Sequence, residues 1–171
     1  MIRLITGGAR SGKSTLAERL AEESGLEVIY IATAQTGDGE MSERVALHRE
    51  RRPDHWQTVE EPLQLVETIS RLQQPGHCLL VDCLTLWVTN LLLSETDIQA
   101  QRELLYTTLA NAKGEVILVT NETGMGVVPM GELSRRFVDE AGWLNQAVAA
   151  VADQVVLTVA GLPLTVKGEK L

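Results

Sequence analysis

Cysteine is scarce in this chain: of 171 residues only Cys78 and Cys83 carry a thiol. On one extended strand about 3.3 Å per residue sets them roughly 16 Å apart, too far for a disulfide, so a cytoplasmic protein with reduced thiols is expected. Positive charge is also short. Fifteen Lys and Arg against 23 Asp and Glu leave a formal charge of -8, with no basic field for a nucleic-acid backbone; no nucleic-acid partner is expected. Long apolar runs are missing too: the longest, residues 79–93, is broken by Asp82 and Asn90 and is shorter than the roughly 20 residues that span a bilayer, so no transmembrane segment is expected. Neither a cationic, apolar leader nor an internal repeat, low-complexity tract or linker is evident. With 44% hydrophobic residues, a chain of this length buries one sizeable core, and residues 1–171 are expected to form a single domain.

What is present begins at Gly7. Gly7, Gly8, Ala9, Arg10, Ser11, Gly12, Lys13 and Ser14 satisfy G-x-x-x-x-G-K-[ST], after an apolar run and before a helical pattern. In such a loop backbone N–H groups curl around a phosphate, the helix N-terminus adds its dipole, Lys13 reaches the outer phosphates and the Ser14 hydroxyl ligates Mg²⁺. A nucleoside triphosphate with Mg²⁺ is therefore the expected ligand.

The remaining pattern alternates strands with helices. Strands are expected at residues 2–6, 28–33, 56–59, 78–81 and 116–120, with two short ones closing the chain at 154–159 and 162–166. Helices are expected at 13–24, 41–52, 62–72, 84–93, 97–112 and 131–152. Residues 84–93 are apolar on nearly every side, which suits either a central buried helix or a surface that meets another subunit. Right-handed βαβ crossovers then give an α/β, P-loop NTPase-type three-layer fold: a mostly parallel central sheet, helices on both faces, and a short C-terminal strand pair.

Ligands of such sheets collect at the carboxyl ends of the strands. That edge should gather the phosphate loop, Ala32, Thr33 and Ala34, the helix bearing His48, Asp82, and residues 121–126. Asp82, closing an apolar strand, is the expected second metal ligand with Ser14, or else a cap on the next helix. His48 shares a helical face with Met41 and Val45, so it is either a packing residue or a nucleophile kept neutral by Arg49, Arg51 and Arg52. His55 and His77 have less to recommend them. Glu122 is expected either to orient an incoming hydroxyl or a metal-bound water, or to accept backbone hydrogen bonds in its loop.

Five segments in this order resemble one family. The phosphate loop, Tyr30-Ile31-Ala32-Thr33-Ala34, His48 four residues before Arg52-Pro53, Asp82-Cys83-Leu84-Thr85 with Thr89-Asn90-Leu91-Leu92, and residues 120–129 together look like the bifunctional adenosylcobinamide kinase/adenosylcobinamide-phosphate guanylyltransferases. The resemblance implies phosphorylation of adenosylcobinamide by a nucleoside triphosphate, ATP or GTP. It then implies GMP transfer from GTP through a guanylyl-histidine to adenosylcobinamide phosphate, in cobalamin assembly. By the same matching His48 is the histidine, and Ala32, Thr33, Ala34, Arg49, Glu50, Arg51, Arg52, Glu60 and Asp82 contact the guanine nucleotide. A homo-oligomer is implied as well.

Two other readings stand beside this one: a small-molecule P-loop kinase with a structural His48, and a nucleotide-dependent switch. The GTPase pattern N-K-x-D is absent, which counts against the switch and leaves guanine to be read in some other way.

Overall fold

The computed structural model of the chain describes residues 1–35 and 53–171. Seven strands form one sheet: β1 (Ile2–Gly7), β2 (Glu27–Ala32), β3 (Gln57–Glu60), β4 (His77–Asp82), β5 (Glu115–Val119), β6 (Gln154–Val159) and β7 (Leu162–Lys167). Five helices of the described residues accompany them: α1 (Lys13–Glu23), α2 (Leu65–Leu72), α3 (Leu84–Leu93), α4 (Ile98–Ala110) and α5 (Glu132–Val151). The spatial order is β3-β2-β4-β5-β1-β6-β7. Every neighbouring pair is parallel except β6 and β7. The fold class is the expected one. The closing strands extend the main sheet, because β6 also runs parallel to β1.

Both sheet faces are buried, which is why the strands read as nearly continuous apolar runs. On one face Ile29, Ile31, Leu79, Val81, Val116 and Leu118 pack against residues of α2, α3, α4 and α5. On the other, Tyr30, Leu80, Ile117 and Val119 meet Leu16, Ala17, Leu20 and Ala21 of α1. The period of two along each strand assigns alternate residues to the two cores.

The apolar helix α3 belongs to the interior. Leu84, Trp87 and Val88 are fully buried, and Trp87 Nε1 donates to Leu63 O at 2.9 Å. Asn90, on the same helix, donates through Nδ2 to Thr33 O at 2.8 Å and to Pro62 O at 2.9 Å. Of the two roles open to residues 84–93, the structure takes the core helix. Only Leu93, at the end of α3, is exposed on this helix; further exposed apolar residues lie on β7 at Leu162, Leu164 and Val166, and before α5 at Met125, Val127, Val128 and Met130. No helix of the described residues is long and apolar enough to cross a membrane.

Asn90→Leu keeps the side-chain bulk but strands two carbonyl oxygens, each costing about 1–3 kcal/mol when left unpaired. Urea denaturation should show a loss of about 2–6 kcal/mol with an unchanged m-value; wild-type stability would mean that water replaces the amide.

Candidate nucleotide site

Sheet register lays out the site before any side chain is considered. Glu60, Ala32, Asp82, Val119 and Ile5 stand in one row across β3, β2, β4, β5 and β1 at their carboxyl ends. Gly7 lies two residues beyond that row, and the phosphate loop turns over the edge into α1. Two strand spacings, about 10 Å, separate the β4 and β1 positions of the row, yet Ser14 Oγ lies 3.1 Å from Asp82 Oδ2. The gap is closed because α1 packs across β4 and β5 as well as β1.

The loop is braced from behind. A Cβ on Gly7 would stand 2.5 Å from both Thr158 O and Thr158 Oγ1 and 2.7 Å from Ser11 Oγ, so only glycine fits. Thr158 Oγ1 donates to Thr6 O at 3.1 Å. Its one proton thus committed, it accepts from Ser11 Oγ at 2.8 Å. In the β6–β7 turn Gly161 N donates to Ser11 O at 3.0 Å. Gly12 has φ +97°, and a Cβ there would meet Gly161 Cα at 3.3 Å. Arg10 also takes a left-handed φ, 56°, a conformation that costs a non-glycine residue of order 1 kcal/mol and recurs where a loop is shaped for a ligand.

Lys13 is buried at 7% exposure, and Nζ donates to Gly8 O at 2.5 Å. Burial pulls its pKa below the usual lysine range, while Cys83 and Asp82 act the other way. Asp82 Oδ2 accepts a second hydrogen bond from Tyr30 Oη at 2.9 Å. Ser14 and Asp82 therefore present two hard oxygen donors beside a buried ammonium.

Around this centre the other candidates take different roles. The Thr33 hydroxyl is fully buried, donating to Cys83 O at 2.7 Å and accepting from Cys83 N at 2.8 Å; it ties the end of β2 to the residue after Asp82. Ala32 O accepts from Glu61 N at 2.9 Å, and Ala34 is half-buried just beyond. Glu60 ends β3 in the row with Ala32 and Asp82. Glu122 N donates to Gly7 O at 2.9 Å, and its carboxylate accepts from Gly124 N at 2.6 Å. His77 opens β4 at the opposite end from Asp82, held by Leu72 O at 2.8 Å. His55 is exposed near Glu22. His48, Arg49, Glu50, Arg51 and Arg52, with the expected helix at 41–52, lie outside the described residues.

Two residues take roles at the site that the sequence pattern left unassigned. Tyr30 shares a sheet face with Ala32, and its period-two spacing from that residue was the available signal. Thr158 had no signal, since 147 residues separate it from Ser11.

A family model described as cobinamide kinase / cobinamide phosphate guanyltransferase matches residues 3–166. Over 170 residues the chain is 63% identical to the bifunctional adenosylcobalamin biosynthesis protein CobP of Pseudomonas aeruginosa, with 98% of each chain covered. The corresponding protein CobU of Escherichia coli is 42% identical over 182 residues, covering 98% of this chain and 100% of that one. Two solved structures share the fold. Flagellar accessory protein FlaH from Methanocaldococcus jannaschii has a TM-score of 0.53 at 14% identity, over 98% of this chain and 78% of that one. The RadB recombinase has a TM-score of 0.53 at 15% identity, over 91% and 73% respectively.

Both thiols are buried and free. Burial and the neighbouring Asp82 push Cys83 up to about 12, and burial raises Cys78, so neither forms the reactive thiolate. At about pH 8 the native chain should take up no Ellman's reagent, and two equivalents after unfolding in guanidinium. A rapidly reacting native thiol would contradict that burial.

Proposed function

Because the chain belongs to the cobinamide kinase / cobinamide phosphate guanyltransferase family, we propose that both reactions of that family run from the sheet edge built around Lys13 and Asp82. The chain is a bifunctional adenosylcobinamide kinase and adenosylcobinamide-phosphate guanylyltransferase of cobalamin biosynthesis. In the first reaction the hydroxyl oxygen of the aminopropanol arm bonds to the γ-phosphorus of a nucleoside triphosphate. The bond from that phosphorus to the β–γ bridging oxygen breaks, the diphosphate leaves and the hydroxyl proton is released. In the second, an imidazole nitrogen of His48 bonds to the α-phosphorus of GTP and pyrophosphate leaves. A phosphate oxygen of adenosylcobinamide phosphate then displaces the imidazole, giving adenosylcobinamide-GDP. An imidazole suits this step, being nucleophilic when neutral and a competent leaving group when protonated.

Phosphoryl transfer depends mainly on positioning and charge neutralisation. Lys13 supports the assignment directly: its ammonium, held on Gly8 O, exchanges a carbonyl partner for phosphate oxygens as the loop fills. Mg²⁺ is the proposed metal. Ser14 Oγ and Asp82 Oδ2 offer it only two oxygens, and no group of three or more His, Cys, Asp or Glu that could hold a metal ion occurs among the described residues. A metal that keeps several waters and takes substrate phosphates as ligands fits that sparse set. Bound there, it would neutralise charge on the phosphates. Ala32, Ala34 and Glu60, together with Arg49, Glu50, Arg51 and Arg52, are the proposed guanine-nucleotide contacts. Thr33 acts from behind, through Cys83.

The same proposal includes the cytoplasm as location and a homo-oligomer assembled through the exposed apolar residues of β7 and of 125–130. Sedimentation should find more than one chain per particle, and Leu164→Glu should shift it toward the monomer. A monomeric wild type would remove that part of the proposal.

The observation that carries the functional reading is the family match over residues 3–166, joined to the contact between Ser14 and Asp82. After incubation with GTP and Mg²⁺, the peptide containing His48 should gain the mass of one GMP, and His48→Asn should gain nothing. Lys13→Ala should slow phosphorylation of adenosylcobinamide by about 10²–10³-fold. Phosphorylation without any guanylylated peptide would reduce the chain to a kinase.

A further inference from the structure

On the sheet face away from α1, beneath the loop that follows β5, lies a cavity of about 310 Å³. Leu4 and Val155 form an apolar floor, Thr6 and Glu122 stand at the end nearer the phosphate loop, and Gly142 and Asn145 of α5 form a wall. Glu122 is the sole ionisable residue lining it, so it repels the phosphates that the loop attracts. The cavity calls for a neutral, polar guest.

Its polar groups are oriented. Thr120 Oγ1 donates to Asn145 Oδ1 at 2.9 Å and is anchored by Thr85 Oγ1 at 3.3 Å, which also accepts from Asn121 N at 2.7 Å. With Oδ1 held, Asn145 Nδ2 is a fixed donor with no hydrogen-bond partner among the described residues. Thr6 lines the same end of the cavity as Glu122. Glu122 supplies an acceptor, and its main-chain N, on Gly7 O at 2.9 Å, joins this end of the cavity to the start of the phosphate loop.

We propose that this cavity receives the amide-linked hydroxyalkyl arm of adenosylcobinamide, with an amide carbonyl on Asn145 Nδ2 and the terminal hydroxyl beside Glu122, facing the phosphate loop. The assignment rests on the kinase reading above. A volume of this size admits a short arm and excludes a macrocycle, so the ring stays outside while the arm enters. A donor and a carboxylate over an apolar floor match an amide and an alcohol joined by hydrocarbon.

Gly142 provides the test. A Cβ there meets nothing within 4 Å, so Gly142→Leu fills the cavity while replacing a glycine inside a helix, a change that favours the helix. Asn145→Leu removes the donor. In steady-state phosphorylation assays each variant should raise the KM for adenosylcobinamide about tenfold or more. The KM for the nucleotide should stay within about twofold, with an undiminished melting temperature for Gly142→Leu; that variant carries the test should Asn145→Leu fail to fold. Wild-type acceptor KM values, or equal rises in both KM values, overturn the assignment. A wild-type chain that phosphorylates no adenosylcobinamide overturns the kinase reading itself.

Discussion

A buried ammonium governs this structure. Lys13 is almost wholly removed from water, and a cation in that position is costly unless something negative or strongly polar faces it. The answer here is the Gly8 carbonyl at 2.5 Å, with the Asp82 carboxylate further off. Both are weaker partners for an ammonium than a phosphate chain would be. Keeping the charge there requires a loop that cannot relax, and most of the surrounding architecture meets that need.

The bracing comes from the far end of the chain. Thr158 and Gly161 grip Ser11 from the β6–β7 hairpin, and the absence of a Cβ on Gly7 lets Thr158 approach so closely. On the other side Tyr30 and Ser14 share one oxygen of Asp82, while the Thr33 hydroxyl is locked onto the Cys83 peptide. Asn90 of α3 continues this chain of contacts, through Thr33 O, into the core on the face covered by α2, α3, α4 and α5. The apolar helix, Cys83 and the end of β2 thus hold the carboxylate where the helix crossing brings Ser14.

The two sheet faces are covered unequally. α1, which begins at the end of the phosphate loop, covers one face. Four described helices cover the other, and α5 leaves a gap against β1 and β6 where the mixed amide and hydroxyl lining appears. Glu122, bonded to Gly7 through its backbone, stands where the two regions meet.

Local pattern was enough for much of this. Glycine placement and the Lys13-Ser14 pair announced the phosphate loop, because an anion cradle requires those residue types at that spacing. Apolar runs bounded by turns marked the parallel sheet, and five ordered segments pointed to the family. Other features depended on strand order and helix crossing, which no window of sequence contains. β5 lies between the strands of Asp82 and Gly7, α1 bridges that separation, Thr33 turns inward, and α3 is core where its composition also suited an interface. Residues far apart in the chain are joined by burial and register, so the clamp of Thr158 on Ser11 and the cavity beside α5 became definable only once the whole sheet was assembled.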